Sequence, residues 1–271
     1  MVFPRNDDAY NRLLSEFQQT NDSSFAHESL ASSYLALPGL RGFWPMSALG
    51  ASGEALDIGG LGGHLTNVNT VLSLASPQPA TYFQTANSEA LYIADASAYD
   101  IIGTEAYVHA DYRGLTIGAW VYFDAIGQTH GFIGKYSVAA GNHSYLLHVT
   151  AANKPKMHVS TDGTAIVFAE HTTSIVANQW CFIVGRYDPS TEVKVWLNDV
   201  AVVETTSVPA TIFNGNASFV VGAYGTGPAT FSAYMEGKVS MAFLCAAYLP
   251  DHTIRRLYYR TRPAFQNRSQ W

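Results

Sequence analysis

The chain has 271 residues, of which 48% are hydrophobic and only 13% charged, with a net charge of −6. Sandwich domains reach this length as one unit, and a charged share so far below the roughly 25% of ordinary soluble domains leaves the surface to Ser, Thr, Asn, Gly and Tyr. The acidic balance excludes the basic stripe of a nucleic-acid footprint, and no apolar run is long enough to span a bilayer.

Residues 1–38 read as an arm distinct from the body, residues 39–271. Asp8 to Gln19 carries Leu13, Leu14 and Phe17 at helical spacing behind the capping residues Asn6, Asp7 and Asp8. A polar link, Thr20 to Ser24, precedes a weakly amphipathic stretch from Phe25 to Leu37 that ends before Pro38. Isolated helices of this length are marginal in water, so the arm must dock on its own domain, on a sister subunit or on a larger partner. Leu13, Leu14, Phe17 and Phe25 are its candidate anchors. No apolar h-region of a signal peptide is visible in residues 1–30.

The body opens with Gly42-Phe-Trp-Pro-Met46 and a loop holding Gly59, Gly60, Gly62 and Gly63. Glycines this dense mark unusual backbone angles, but no helix or basic residue follows to make a phosphate cradle. Strands are expected at Ala80 to Ala86 and Ala90 to Ile93, then a loop with a helical turn between Asp95 and Tyr107. Leu115 to Phe123 is the clearest strand. Leu115, Ile117, Ala119, Val121 and Phe123 alternate with Thr116, Gly118, Trp120 and Tyr122, so it is central and covered on both faces.

From there short apolar runs follow at a steady beat: 131–136, 144–150, 156–161, 165–171, 179–187, 192–198, 200–205, 218–224 and 237–249. Turn signals separate them, with Asp162-Gly163 and Asn198-Asp199 as the best hairpin turns. Many short strands with such turns make a sandwich or barrel. At the end Asp251 caps an expected helix from Thr253 to Arg260, stopping before Pro263, with Ile254, Leu257 and Tyr258 facing inward. Arg255, Arg256, Arg260, Arg262 and Arg268 then read as a solvated helix face or a subunit contact.

Read in order, several motifs resemble the laminin-G-like branch of the concanavalin A-like lectin and glucanase superfamily over about residues 39–262. They are Gly42-Phe-Trp-Pro-Met, Leu56-Asp-Ile-Gly-Gly-Leu-Gly62, Tyr92-Ile-Ala, Leu115 to Val121, Gly134-Lys-Tyr136 and Ser144-Tyr-Leu-Leu. Gln179 to Asp188, Val193 to Asn198, Phe219-Val-Val-Gly222, Gly237 to Ala242 and Leu249-Pro-Asp251 complete the set. The resemblance implies an all-β fold: a two-sheet antiparallel jelly-roll sandwich, here with a partly helical N-terminal arm and a short C-terminal helix. It does not fix activity, because one sandwich hosts lectins, adhesion domains, glycanases and virion proteins.

Glycan cleavage needs two carboxylates flanking one sugar bond, and the superfamily's Glu-x-Asp-x-x-Glu triplet is absent. Glu192, the nearest acidic strand edge, reads as solvated, and no catalytic residue is expected. No cofactor is identifiable with certainty, and Ca2+ is the one candidate. The resemblance puts such an ion on loops at one rim, where Asp57, Asp95, Asn142 and Asp162 are the oxygen donors by position, against their ordinary use in turns. Nine histidines without Cys-x-x-Cys or paired helical spacing give zinc no support, although His148 and His158 face each other across a hairpin. Sugar binding needs an aromatic platform. Tyr136 and Tyr145 with Asn142 are the candidates, Tyr122 is also available, and Trp120 and Trp196 belong to the core. Cys181 and Cys245 read as buried free thiols.

The functional expectation is a non-enzymatic structural or binding protein displayed on an assembly through its arm. A phage virion component, in capsid decoration or associated with tail or fibre, is the leading form, at the virion surface or outside a cell. Its partners would be proteins of that assembly or copies of itself, and glycans, without nucleic acid or membrane insertion. The alternative is a secreted or surface lectin-like module, with calcium or without, and a glycanase is the remote third.

Overall fold

The computed structural model describes residues 24–46, 50–59, 61–73, 80–95, 99–100, 113–139, 141–227 and 229–266. The expected helix at Asp8 to Gln19, with Leu13, Leu14 and Phe17, lies outside these residues, as do most of the expected helical turn before Tyr107 and Arg268. The described chain is mostly β, with 45% of residues in strands against 12% in helices.

Helices α1 (Ser24–Leu35) and α2 (Asp251–Phe265) bracket seventeen strands. The strands are β1 (Leu40–Trp44), β2 (Thr66–Val68), β3 (Val71–Ser73), β4 (Ala80–Phe83), β5 (Ala90–Ile93), β6 (Leu115–Phe123), β7 (His130–Tyr136), β8 (His143–Val149) and β9 (Pro155–Ser160). They continue as β10 (Ile166–Glu170), β11 (Trp180–Asp188), β12 (Glu192–Leu197), β13 (Val200–Glu204), β14 (Phe219–Val221), β15 (Tyr224–Gly227), β16 (Thr230–Ser232) and β17 (Gly237–Cys245). One sheet runs β13-β12-β11-β6-β17-β4-β3, with β1 also paired to β17. The other runs β10-β9-β8-β7-β14-β5-β2, and a β15–β16 hairpin stands apart. All sheet pairings are antiparallel, as the resemblance implied.

The alternation of β6 decides the layering. Leu115, Ile117, Ala119, Val121 and Phe123 point into the core between the sheets, where they meet Phe132, Leu147, Met157 and Phe219. Its opposite face lies under the helices. There Trp120 stacks on Phe265 at 4.5 Å and its Nε1 donates to Thr261 Oγ1 at 2.8 Å. Gly118 shares that face because a Cβ would come within 2.9 Å of the Phe243 ring and 2.7 Å of Val184 Cγ2. The protein thus has three layers, helices on sheet on sheet, with a fully buried Trp120 where the sequence placed it.

The arm's second half belongs to this body. Leu30, Tyr34 and Leu37 are buried in the helix–sheet core, and the Tyr34 ring stacks on Phe43 at 4.7 Å with planes 7° apart. Phe25 falls within α1. Helix α2 also outruns its expected end, continuing through Pro263 to Phe265. Proline removes a single helical N–H, and Gln266 N restores the ladder by donating to Arg262 O at 2.9 Å. Burial of Phe265 against Trp120 and Trp180 holds the last turn in place.

A buried ionic cluster fixes the start of α2. Arg186, fully buried on β11, donates to Leu249 O and to Asp251, and to Tyr248 Oη at 3.0 Å. Lys194 bridges Glu192 at 2.7 Å and Asp251 at 3.3 Å, while Tyr248 Oη donates to Glu192. Glu192 is therefore not the solvated residue its position suggested, with a side chain only 16% exposed. Two neighbouring cations and the Tyr248 hydroxyl draw it in. Arg255, Arg256 and Arg260 are exposed, as a solvated helix face requires.

Candidate functional site

The richest surface chemistry lies at one rim, where the β7–β8 connection meets the loops after β9 and before β14. Several backbone bonds close it. Gly141 N and His143 N both donate to Gly163 O at 3.0 Å, and Phe213 N donates to Ser160 O at 2.7 Å. Gly163 has φ of +81°, and a Cβ there would strike Gly141 C and the Phe213 ring at 2.8 Å, so only glycine lets the three loops touch. The Asp162-Gly163 turn sits in a wider connection than a two-residue hairpin, since β9 ends at Ser160 and β10 begins at Ile166.

On the outer side of this rim Tyr136, at the end of β7, stacks on His143 at 4.5 Å and meets Tyr224 edge-on at 5.6 Å. All three are half-buried. Beside them Asn142 Oδ1 accepts from Asn216 N at 3.2 Å, which leaves its amide nitrogen without a partner among the described residues. Burial, with the Tyr224 ring beside it, pushes the Tyr136 hydroxyl pKa up, so it is a neutral donor and acceptor at pH 7. An aromatic plane rimmed by a hydroxyl, an amide and ring nitrogens can stack on an apolar ring face while hydrogen-bonding its hydroxyl edge.

The cluster runs inward along the sheet. His158 lies 5.0 Å from Tyr136 and His148 lies 5.3 Å from His158, ring to ring, so the pair expected from the sequence is adjacent. Neither imidazole has a hydrogen-bond partner among the described residues. Burial, then Lys156, lowers the His148 pKa to about 4, and burial, then His148, Lys156 and His143, holds that of His158 well below the usual histidine range. Both are neutral packing groups at pH 7.

Of the expected carbohydrate residues, the structure brings Tyr136 and Asn142 together and sends Tyr145 elsewhere. Tyr145 is fully buried between the sheets, and its hydroxyl donates to Tyr99 O at 2.9 Å. The period-2 alternation of β8 turns it inward, so it offers no platform. Trp196 is likewise fully buried, in the core as expected.

The four expected calcium donors do not fit a metal, because each oxygen set already serves the chain. Asp57 accepts from Gly59 N at 2.7 Å, Phe43 N at 2.9 Å and Gly63 N at 3.1 Å. It is 2% exposed, and burial pushes its pKa up against those three bonds. The glycine-rich loop is thus a wrap around one carboxylate. Asp162 Oδ1 accepts from Thr164 N and Ala165 N at 2.8 and 2.7 Å, a turn role that lowers its pKa. Asn142 holds Asn216, and Asp95 faces the ammonium of Lys135 at 2.5 Å. Among the described residues no three His, Cys, Asp or Glu side chains are grouped to hold a metal ion.

Lys135 is the rim residue that sequence reasoning passed over. It is 1% exposed, directed inward beside Ile133, with Asp95 and Asp100 at 2.5 and 2.8 Å and Gly215 O as its third acceptor. A signal was present: two residues after Ile133, Lys135 shares that residue's inward parity.

A family model described as the concanavalin A-like lectin/glucanases superfamily matches residues 80–239. No curated protein sequence matches the chain. Among solved structures, the binding domain of Paraclostridial Mosquitocidal Protein 1 aligns with TM-score 0.62 and 8% identity, over 81% of this chain and 52% of that one. The binding domain of Botulinum Neurotoxin DC in complex with SialylT aligns with TM-score 0.57 and 10% identity, over 82% and 51%. The same domain in complex with rat synaptotagmin II gives 0.56 and 10%, over 82% and 51%. These likenesses are of fold, and the chain spans about half the length of the structures it matches.

Proposed function

The chain belongs to the concanavalin A-like lectin/glucanase superfamily, and on that premise we propose that it is a non-enzymatic binding module whose recognition surface is the Tyr136 rim. The observation that carries the proposal is the half-exposed Tyr136–His143–Tyr224 cluster beside an Asn142 amide nitrogen that has no partner among the described residues. Its chemistry fits a sugar ring. The acids nearest it are held by Lys135 and by the 162–165 turn, which favours binding over hydrolysis. Likeness to binding domains of clostridial toxins, two of them in complex with SialylT and with synaptotagmin II, supports the same direction.

A glycan array read with the full chain and with Tyr136→Ala tests this. Binding to a defined glycan class, reduced tenfold or more by the substitution, is expected. Equal binding by the two proteins, or none by either, removes the rim as a glycan site. The finer reading, display on an assembly such as a phage virion, rests on the organisation of the sequence, with residues 1–23 as the docking segment. Incorporation into particles that survives deletion of residues 1–23 would sink it.

A further inference from the structure

We propose that the ammonium of Lys135 is the rim's own cation, covalently supplied, so that this sandwich closes its rim without a metal ion. Two separate loops converge on one nitrogen. Asp95 and Asp100 bring carboxylate oxygens at 2.5 and 2.8 Å from the loop after β5, and Gly215 brings a carbonyl oxygen from the loop before β14. With the Asn214 amide oriented to its partners, its nitrogen donates to both oxygens of Asp100, at 2.8 and 3.2 Å. Gly215 N in turn donates to Ser144 Oγ at 3.3 Å, on the strand paired with β7.

An ammonium has three N–H donors, and here each has an oxygen acceptor. Two carboxylates and a carbonyl are also the ligand chemistry of a hard divalent cation. The cage is therefore a cation cage, and its occupant is a side chain. Without a positive charge Asp95 and Asp100 would face each other uncompensated, and the two loops would separate. Lys135 directly precedes Tyr136, and Asn216 directly follows Gly215. The ammonium thus also sets the spacing between the aromatic cluster and Asn142. This holds whatever the rim binds.

The test compares thermal unfolding of the full chain with Lys135→Ala, Lys135→Met and Asp95→Asn, each in millimolar calcium and in chelator. The native protein should melt at one temperature in both conditions. Lys135→Ala should melt lower by roughly 10 °C, recover part of that loss in calcium, and show a one-site calcium binding heat absent from the native chain. Lys135→Met fills the cage with an apolar chain, so it should fall without recovery. If Lys135→Ala does not fold, Asp95→Asn, altered at the more exposed carboxylate, should still show a smaller loss that calcium leaves unchanged. A native melting temperature that rises with calcium or drops in chelator overturns the proposal. So does a folded Lys135→Ala protein that binds no calcium, or an Asp95→Asn protein as stable as the native chain.

Discussion

Truncating Tyr34 to alanine tests whether α1 is a detachable handle or part of the body. The Tyr34 side chain is fully buried, stacked on Phe43 at 4.7 Å and tilted against Phe243 at 5.4 Å. Withdrawing that ring from a core loses about 2–3 kcal/mol of transfer energy. The aromatic stack adds about 1 kcal/mol, and an uncollapsed cavity brings the total to about 3–5 kcal/mol. For a domain of this size that is a fall of roughly 10 °C in melting temperature. The assay is urea unfolding followed by far-ultraviolet circular dichroism and by tryptophan fluorescence, since Trp44, Trp120, Trp180 and Trp196 report both cores. Coincident curves with a lowered midpoint are expected. A loss below about 1 kcal/mol, or a helical signal melting ahead of the fluorescence, would refute the packing argument and return α1 to the role of a free arm. The outcome also sets where a docking experiment must cut: removing residues 1–38 would take out Tyr34 and Leu37 and confuse anchoring with folding.

Four further outcomes concern groups already placed. Arg186→Met should destabilise by about 1–3 kcal/mol in chemical denaturation, because it removes the donors to Leu249 O, Tyr248 Oη and Asp251 and leaves Lys194 alone to face Glu192 and Asp251 at the start of α2. Partial burial works against the Asp251 carboxylate, but Arg186 and Lys194 together hold its pKa below the ordinary value. Its contribution should therefore persist down to about pH 4 and disappear below, a loss that Asp251→Asn should remove from the acid limb of a stability–pH curve. The buried imidazoles act at higher pH. With His148 lowered from about 6.5 to about 4, the unfolded chain binds the extra proton across that window, so stability should fall as pH drops through it. The fall for His148 is at most about 3 kcal/mol, and His148→Gln should flatten it. Cys181 and Cys245 are buried and free, the former with its pKa pushed up to about 12, so a thiol reagent should label neither until denaturant is added.

Strand positions and the layering about β6 were legible in the sequence because period-2 alternation reports burial directly. Leu115 to Phe123 named both faces of β6 correctly, and the Asn198-Asp199 turn closed its hairpin in register, Leu197 opposite Val200. Short strands were less legible. Thr66–Val68, Val71–Ser73 and the Tyr224–Ser232 hairpin carry three or four residues each, too few for alternation to stand out from loop sequence. The far end of α2 was misjudged at Pro263, since packing of Phe265 outweighs one missing N–H. At the candidate rim, residue chemistry points to Tyr136 and Asn142, whereas the inward parity of Tyr145 on β8 takes it off the surface.

The same parity rule marks the two residues that organise the ends of this sandwich as buried charges, but it does not say what compensates them. Lys135 and Arg186 sit inside strands at positions where an apolar side chain would be ordinary, and both are almost fully buried. A buried charge must find compensation, so each position demands carboxylates from somewhere. Periodicity states the demand but not the supplier. Asp95 lies 40 residues before Lys135, Gly215 lies 80 after it, and Asp251 lies 65 after Arg186. Those separations are set by the crossing of the chain between sheets, which no local pattern encodes. The asymmetry has a functional side. Arg186 locks a helix onto the closed face, whereas Lys135 locks two loops at the open rim next to the half-exposed aromatics. A rim held by a tethered ammonium keeps its geometry at any calcium concentration. If the Tyr136 surface binds a glycan, it should do so equally well in chelator and in calcium, and a loss of binding in chelator would return the chain to the metal-dependent lectins.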